Sequence, residues 1–504
     1  MKRYIIPLLF CISIFSCTNL NEEIYSNIPK DEFFKSKEQL ILYSSRAYNK
    51  LQAWGTEQSL WTLILQLGDE VAVPKNSVNE WGNPRYYELH THDIPSSNKL
   101  VRQGWDYCFD GIAACNDVIY EIEKSSFEFT GKAMVLAEMK VLRAFFYFCA
   151  MDCWGNIPFS ISKDEKGYPE QKDRKFMFSF LEKEILDNID ALSVDTGKEY
   201  YGRITQGVAN TLLAKLYLNA EEWIGEEKWN KAEQACKRVI DSKKYTIEDD
   251  YKANFKVANE GSGEAVFAIP YSTVYTQSDH SDFVIFIMTL SPKMCAALNI
   301  PAAGWDGFIA QPDFISTYHK DDIRKKATWL YGQQYDKNGS PIKDFVIIED
   351  YDEANYSTGR PETTGARIGK WDYQTNGLLL SDQTSMDNDF FVFRYADVIL
   401  MYVESLVRQG RGSEALALED FKKIRTRAGL APMSDIDLES LFMERSHELA
   451  LEGWKRQDLI RFGKYGKKWW AKPNEDQPYM KLLPIPKERL NANPNLKQNS
   501  GYIK

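Results

Sequence analysis

The chain has 504 residues, with 62 lysines and arginines against 72 aspartates and glutamates, and a net charge of −10 at pH 7. It contains no long basic run, so the electrostatic footprint of a nucleic-acid-binding protein is missing, which argues against nucleic acid as a partner. Its 13 tryptophans, 28 tyrosines and 27 phenylalanines are more flat apolar surface than helix packing requires. We expect some of these rings to be exposed for stacking against a ligand.

The amino terminus reads as a targeting segment. Two basic residues precede the apolar stretch 4–15, which is too short to remain in a bilayer as a spanning helix. The sequence Ile-Phe-Ser-Cys at 14–17 resembles a bacterial lipobox, although its phenylalanine replaces the small residue usual there. This pattern predicts a signal peptide over 1–16 and a lipid on Cys17, with plain secretion as the alternative. The mature chain, 17–504, is then expected to be a single domain held on a lipid anchor.

The remaining cysteines do not suggest a disulfide framework or a metal site. None forms a Cys-x-x-Cys pair, and Cys149 and Cys153 lie four apart within an apolar helical run, as core thiols do. The one close histidine pair, His90 and His92, has no cysteine or histidine cluster beside it, and we expect it on a surface loop. We expect no metal and no cofactor.

Helical periodicity is clear in both halves of the chain. The two clearest units are hairpins of about the length of a tetratricopeptide repeat, and four further helices pair in order into two more. The sequence therefore predicts an all-α repeat scaffold of about four helix pairs with one continuous core. The predicted hairpins span 207–240 and 393–428, and the further helices span 37–51, 103–124, 132–153 and 176–192.

Two irregular insertions interrupt the helices, at about 68–98 and 270–388. The second is rich in Gly, Asp, Tyr and Trp, and contains Asn338-Gly339, a pair typical of a tight β-hairpin turn. An insertion of more than a hundred residues in a repeat scaffold is usually functional or disordered, and this one has too many aromatic residues for disorder. We therefore expect it to carry the recognition surface.

Near the carboxyl end, Glu444, Glu448 and Glu452 repeat every four residues, which predicts one face of a helix. Such a spacing can present two carboxyl groups near the separation found in retaining glycosidases. Arginines nearby in the sequence would instead hold the carboxylates ionised, whereas a general acid needs a raised pKa. We therefore interpret the glutamates as a buried network that fixes the last helices, and we expect no enzymatic activity.

A set of motifs in a fixed order identifies the chain as similar to a known family. The motifs are Gly68-Asp69-Glu70, WDYCFDGIAACN (105–116), AEMKVLRAFFYFCAMDCWGNIP (137–158), GRITQGVANTLLAKLY (202–217), FRYADVILMYVE (393–404), the glutamate series, and a terminus with NPNL (493–496) and QNSGY (498–502). Together they resemble the SusD/RagB family of outer-membrane nutrient-binding lipoproteins of Bacteroidetes. The resemblance covers essentially everything after Cys17.

This resemblance implies a tetratricopeptide-like scaffold with the ligand site on its insertions. It also implies a partner, a SusC-type TonB-dependent transporter over which the protein sits as a hinged lid at the outer membrane. Glycans are the usual cargo of such proteins, some relatives take peptides, and no catalysis is implied. The alternatives are a structural lid that only completes the complex, or a binder of a nutrient other than sugar.

A glycan site needs flat ring faces and planar polar groups. The aromatic candidates are Trp81, Tyr275 and Trp305, the last in a flexible turn that resembles a Trp-Gly segment near the ligand site of relatives. The polar candidates are Asp69, Asn83 and Arg85, of which Asp69 alone matches a family motif directly. Starch-binding relatives carry tryptophans in the loop corresponding to 90–98, which has none here. We expect a differently placed aromatic platform, or simple packing of the insertion, from four further residues, Trp329, Tyr331, Trp371 and Tyr373.

Overall fold

A computed structural model describes residues 36–57, 59–75, 84–276, 283–300, 302–373 and 386–502. Up to residue 241 the structure consists mainly of helices that follow one another with short connections. These helices are α1 (Lys37–Tyr48), α2 (Leu60–Leu65), α3 (Pro84–Thr91), α4 (Lys99–Lys124), α5 (Lys132–Trp154), α6 (Arg174–Asn188), α7 (Gln206–Leu218), α8 (Ala220–Ile224) and α9 (Trp229–Asp241).

The long helices begin at polar residues that satisfy free backbone N–H groups. The Asn98 side chain accepts hydrogen bonds from the first turn of α4, and Asp173 and Thr205 do the same for α6 and α7. Within α5, nearly every residue from Val141 to Trp154 is buried, because this helix is covered by neighbours on several sides.

Successive helices pack on one another as the periodicity predicts. Helix α4 packs against α1 and α5, α5 packs against α6, and α7 forms a hairpin with α9. The last hairpin consists of α14 (Tyr395–Arg408), α15 (Gly412–Ala417) and α16 (Glu419–Arg427), and α14 also packs on α9. The helical scaffold is confirmed, with a few short strands added to it, and its division into about four repeat pairs stays a prediction. The equivalence of these pairs to tetratricopeptide repeats stays a prediction.

The long insertion is built from short elements. Its helices are α10 (Ile285–Thr289), α11 (Pro292–Leu298), α12 (Pro312–Ser316) and α13 (Ile323–Thr328), and the chain ends with α17 (Leu438–Glu448), α18 (Lys455–Arg461) and α19 (Lys487–Ala492). Short 3₁₀ helices lie at Asn49–Gly55, Ile189–Ala191, Tyr251–Phe255, Glu353–Asn355 and Pro478–Lys481.

Short strands form five antiparallel pairs in the described ranges. The strands are β1 (Val71–Ala72), β2 (Ile157–Phe159), β3 (Glu170–Lys172), β4 (Ala265–Ile269), β5 (Ile309–Ala310), β6 (Trp329–Leu330), β7 (Gly332–Tyr335), β8 (Pro341–Ile347), β9 (Arg367–Ile368) and β10 (Phe390–Arg394). They pair as β1–β5, β2–β3, β4–β10, β6–β9 and β7–β8. The β7–β8 hairpin confirms the Asn338-Gly339 turn, and β1–β5 joins the two insertions.

The histidine prediction is wrong and the cysteine prediction is right. His90 lies on α3, not on a loop, and both His90 and His92 are fully buried. Their ring nitrogens contact the Trp470 carbonyl oxygen at 2.7 Å and the Asp476 carboxylate at 2.5 Å, which explains how two polar rings fit inside. All six cysteines from Cys108 onward are buried free thiols.

The three glutamates do not share one helix. Helix α17 ends at Glu448, and Glu452 lies beyond a turn in which Leu451 adopts a positive φ of 68°. They are nevertheless brought together, because buried cations from distant segments bind all three. We call this group the glutamate clamp, and it consists of Glu264, Glu444, Glu448 and Glu452 with Arg324, Lys370, Arg394, Arg425 and Arg427.

Arg394 is central to the clamp. Its guanidinium group lies 2.6 Å from Glu264, 3.1 Å from Glu448 and 2.7 Å from Glu452, and it is fully buried. Arg427 adds a contact of 2.6 Å to Glu448, and Arg324 lies 2.7 Å from Glu444. These contacts tie β10, α13, α16 and α17 to one another and to the residue that precedes β4.

The charges set the ionisation state of Glu448. Burial opposes its ionisation, but Arg427, Arg394 and Arg324 outweigh burial and hold its pKa well below the usual range. A carboxylate held ionised in this way cannot donate the proton that a glycosidase acid must supply. The structure therefore contradicts the carboxylate-dyad interpretation of this series.

The arginines within and just after the glutamate series serve other contacts. Arg445 and Arg461 bind Asp458, at 2.8 Å and 2.6 Å, and Arg461 also binds Glu404 at 2.7 Å. Arg456 instead reaches back to Asp152 on α5, at 2.9 Å. The carboxyl-terminal helices are thus attached to the scaffold by two separate sets of buried ion pairs.

We predict that Arg394→Met lowers the free energy of unfolding by about 3–5 kcal/mol, because it leaves buried carboxylates without a partner. Chemical denaturation followed by circular dichroism measures this. Arg411→Met is the matched control, since Arg411 also binds two glutamates but is 36% exposed, and should cost under about 1 kcal/mol. Equal losses for the two variants would show that the clamp is not a stabilising unit.

Candidate functional site

Trp305 stands on a turn that is held in place by backbone hydrogen bonds. Its N–H donates to the Ile287 carbonyl at 2.6 Å, and the next N–H groups donate to Leu290 and Met288 at 2.9 Å. Gly304 is required here, because a Cβ at this position would lie 2.1 Å from the Leu290 carbonyl oxygen. The expectation of a flexible turn is therefore wrong, and the half-buried indole is presented on a fixed support.

The residue after the tryptophan explains this rigidity. Asp306 is fully buried, and its carboxylate lies 2.6 Å from Arg367 and 3.2 Å from Arg360. Burial and the neighbouring Arg367 lower the pKa of Arg360 to about 9, so its charge depends on the pairing with Asp306. Because these groups are ordered by folding, little conformational entropy remains to be lost when a ligand contacts the turn.

Arg85 lies on α3 and is tied to the same region. Its guanidinium group lies 2.5 Å from the Glu57 carboxylate, which also accepts a hydrogen bond of 2.8 Å from the Tyr86 hydroxyl. The Tyr86 ring packs edge-on against Phe308, with the ring centroids 6.4 Å apart. Phe308 belongs to the Trp305 turn, so the structure brings α3 and this turn together.

Asp69 lies beside the carboxyl-terminal helices. Its carboxylate is 3.3 Å from Lys455 and 27% exposed. The adjacent Glu70 is buried and its carboxyl group lies 3.3 Å from the Leu451 N–H. Asp69 thus has a charged partner within the protein and retains a partly exposed face.

Tyr275 is separated from the other candidates. Its side chain is 89% exposed at the edge of a cavity whose described lining residues include neither Trp305, Arg85 nor Asp69. Trp81, Asn83 and Cys17 lie outside the described residues. The predicted site residues therefore fall into an Arg85–Trp305 region, the Asp69–Lys455 pair and the Tyr275 cavity.

The remaining aromatic candidates pack the insertion. Trp329 and Trp371 are buried, and Tyr331 and Tyr373 are half-buried against the core, so packing is favoured over a second platform. Over the described ranges, no group of three or more His, Cys, Asp or Glu side chains is placed to hold a metal ion.

Sequence reasoning missed the residues that support the site. Tyr86 and Asp306 are sequence neighbours of expected site residues, and Glu57 contacts Arg85. Arg360 and Arg367, in contrast, follow Trp305 by more than fifty positions. No local pattern links these arginines to the turn. The signal that was available is Trp305-Asp306 itself, since a carboxylate buried beside an aromatic residue needs a cation.

The fold and the site define a helical scaffold whose insertions carry a partly exposed aromatic and charged surface. The SusD family model matches residues 237–502, and the chain belongs to this family.

Several relatives are similar over most of their length. The starch-binding protein SusD of Bacteroides thetaiotaomicron is 26% identical over 412 residues, which cover 73% of this chain and 72% of the relative. A SusD-like protein of Bacteroides ovatus is 22% identical over 451 residues, covering 86% and 77%.

Solved structures share the fold. A SusD homologue from Bacteroides thetaiotaomicron aligns with a TM-score of 0.76 and 21% identity, covering 94% of this chain and 98% of that one. Surface glycan-binding protein A of Bacteroides thetaiotaomicron, in complex with laminarihexaose, aligns with a TM-score of 0.73 and 22% identity, covering 92% and 99%.

Glu70 generates a prediction about pH. Burial raises its pKa to about 8, so the folded chain binds one proton more than the unfolded chain between about pH 4.3 and that value. This contribution to stability is complete below the unfolded pKa and is lost as pH rises through the folded pKa. Glu70→Gln, which is neutral throughout, should therefore become progressively more stable relative to wild type as the pH rises.

Urea denaturation at a series of pH values from about 5 to about 9 measures this difference. Glu419→Gln, at a side chain that is 85% exposed, is the control and should leave the pH profile of the wild type unchanged. A constant difference between Glu70→Gln and wild type across the series would contradict a protonated Glu70.

Proposed function

We propose that the protein is a non-catalytic, lipid-anchored glycan-binding protein of the cell surface, which captures an oligosaccharide and delivers it to a SusC-type TonB-dependent transporter in the outer membrane. The observation that carries the proposal is the Trp305 turn, a partly exposed indole fixed by the buried Asp306–Arg367 pair. Family relatives whose names record binding to starch or glycan support the ligand class.

The chemistry of the region suits a neutral polyhydroxylated ligand. A fixed ring face can stack on the C–H surface of a sugar, and Arg85 with Glu57 supplies donors and acceptors for hydroxyl groups. We retain Asp69, Trp81 and Asn83 as proposed ligand contacts of this region, and Tyr275 as a proposed ligand contact in its own cavity. The lack of tryptophan in 90–98 argues that the glycan is not bound as starch is in relatives.

No helix in the described ranges has the length and apolar character needed to cross a membrane. We propose that attachment depends on the amino-terminal lipid at Cys17, after removal of 1–16. This places the ligand site outside the bilayer, where an oligosaccharide can reach it before transfer to the transporter.

We predict that Trp305→Ala weakens glycan binding roughly 2- to 12-fold, the loss expected for about 0.5–1.5 kcal/mol of stacking, while circular dichroism shows that the fold is kept. Calorimetry against a panel that includes laminarihexaose and a starch oligosaccharide measures it. Tyr168→Ala, at another exposed aromatic residue, is the control and should bind normally. Unchanged affinity in the Trp305 variant would remove this residue from the site.

The same panel should include short peptides. Binding to a peptide with no binding to any glycan would overturn the sugar part of the proposal and favour a peptide nutrient. Binding to neither, with normal assembly on the transporter, would favour a structural lid.

We predict that Cys17→Ala moves the protein from the membrane fraction to the soluble fraction, because the acylated residue is its only proposed anchor. Cell fractionation and intact mass measure this. Cys11→Ala is the matched control, since it lies within the segment proposed to be removed, and should leave membrane attachment and the lipid mass intact. Retention of the Cys17 variant in the membrane would contradict lipid anchoring at this residue.

A further inference from the structure

A second cavity, of about 410 Å³, lies away from the Trp305 turn. It is enclosed by the end of α1, the Asn49–Gly55 turn, the connection at 201–203 and the segment 269–276. Its volume is within the range of roughly 300–1,000 Å³ typical of small-ligand pockets. Four tyrosines line it, namely Tyr48, Tyr201, Tyr271 and Tyr275.

Three of these tyrosines have hydroxyl groups that are already hydrogen-bonded within the protein. The Tyr48 hydroxyl donates to Glu138 at 2.7 Å, that of Tyr201 donates to Asp389 at 2.6 Å, and that of Tyr271 donates to the Gln52 carbonyl at 2.8 Å. The rings are therefore fixed in orientation. Their hydroxyl groups therefore need no polar partner from a ligand.

Tyr275 is different, because it is exposed although its backbone is ordered. The turn that carries it is closed by a hydrogen bond from the Thr276 N–H to the Ser272 carbonyl at 3.0 Å. The same segment is anchored at Tyr271, whose N–H donates to Asp389 at 3.0 Å. Asp389 thus connects the Tyr201 wall to the Tyr271–Tyr275 wall, and fixes the cavity's width.

The polar groups of the cavity are planar amides. In the part of the chain that the structure describes, the side-chain amides of Asn49 and Gln52 make no hydrogen bond with the protein. An apolar occupant would leave such groups without partners, at a cost of about 1–3 kcal/mol for each one buried. The cavity therefore favours a ligand that brings its own donors and acceptors.

The cavity's charge argues against an ionic ligand. Arg203 is the one cation in its described lining, and its guanidinium group is already bound to Glu138, with nitrogen to oxygen distances of 2.6 and 3.1 Å. A carboxylate or phosphate would find no free positive charge there. Ring faces, free amides and neutralised charge together fit a neutral sugar.

We propose that this cavity is a second carbohydrate-binding site, which takes a single pyranose unit such as a chain end or a branch, stacked on Tyr275 and hydrogen-bonded to Gln52 and Asn49. The ligand class rests on the proposed function, but the site does not share residues with the Trp305 turn. Two separate sites on one rigid body can hold one long glycan with an affinity above that of either site alone.

Saturation-transfer NMR with the methyl glycosides of glucose, galactose, mannose, N-acetylglucosamine, xylose, fucose and rhamnose tests this, because together these probes vary the configuration at C2 and C4, the C2 substituent and the group at C5. We expect at least one glycoside to give a signal that persists in Trp305→Ala. In the double variant Gln52→Ala/Tyr275→Ala the signal should fall roughly tenfold, the effect of losing about 1.4 kcal/mol of binding. Tyr168→Ala again serves as control, and thermal melting checks that each variant is folded.

The outcomes separate the two proposals. No signal with any glycoside, a signal that the double variant retains, or a signal that Trp305→Ala abolishes would each overturn the second site. Glycoside binding that depends on Gln52 and Tyr275, together with no oligosaccharide binding in the calorimetric panel, would support the cavity and overturn the Trp305 site. A double variant that loses only its association with the transporter would identify the cavity as a protein-docking surface and overturn the sugar proposal.

Discussion

The structure depends on keeping four buried glutamates neutralised. Glu264, Glu444, Glu448 and Glu452 are each 2% exposed or less, and every one contacts an arginine. Two of the cations that complete the clamp, Arg324 and Lys370, come from the long insertion. The insertion thus supplies part of the positive charge that neutralises the acidic residues of the scaffold, and it is fixed to the scaffold by the same contacts. A ligand surface on the insertion is thereby held at a defined position against the helix pairs.

Local patterns predicted the regular part of this fold well. The hairpins at 207–240 and 393–428 follow from apolar spacing, and the β7–β8 hairpin follows from Asn338-Gly339. The prediction that the glutamates share one helix is wrong beyond Glu448, because the left-handed turn at Leu451 ends the helical register. A leucine at this position gives no sequence signal for such a turn. The prediction that His90 and His92 lie on a surface loop is wrong for a related reason. Their burial depends on Trp470 and Asp476, which are almost four hundred residues away in the sequence.

The candidate site was predictable only in its exposed members. Trp305 and Arg85 can be chosen from residue type and position, but the fixed geometry of the turn comes from Arg360 and Arg367, which no periodic pattern connects to it. Residue type alone groups Tyr275 with Trp305. The structure assigns it to another cavity, because the segment 269–276 lines that cavity together with α1 and is tied to Gln52 through the Tyr271 hydroxyl.

The buried thiols have a consequence for how the chain matures. Burial raises the pKa of Cys153 to about 12 and that of Cys295 to about 11, so neither forms the thiolate needed for disulfide exchange once folded. On the proposed route to the cell surface the unfolded chain would meet an oxidising environment with all of its cysteines accessible. Correct maturation then requires the core to form faster than the cysteines are oxidised. Helices fold quickly because their contacts are local, and this favours core formation.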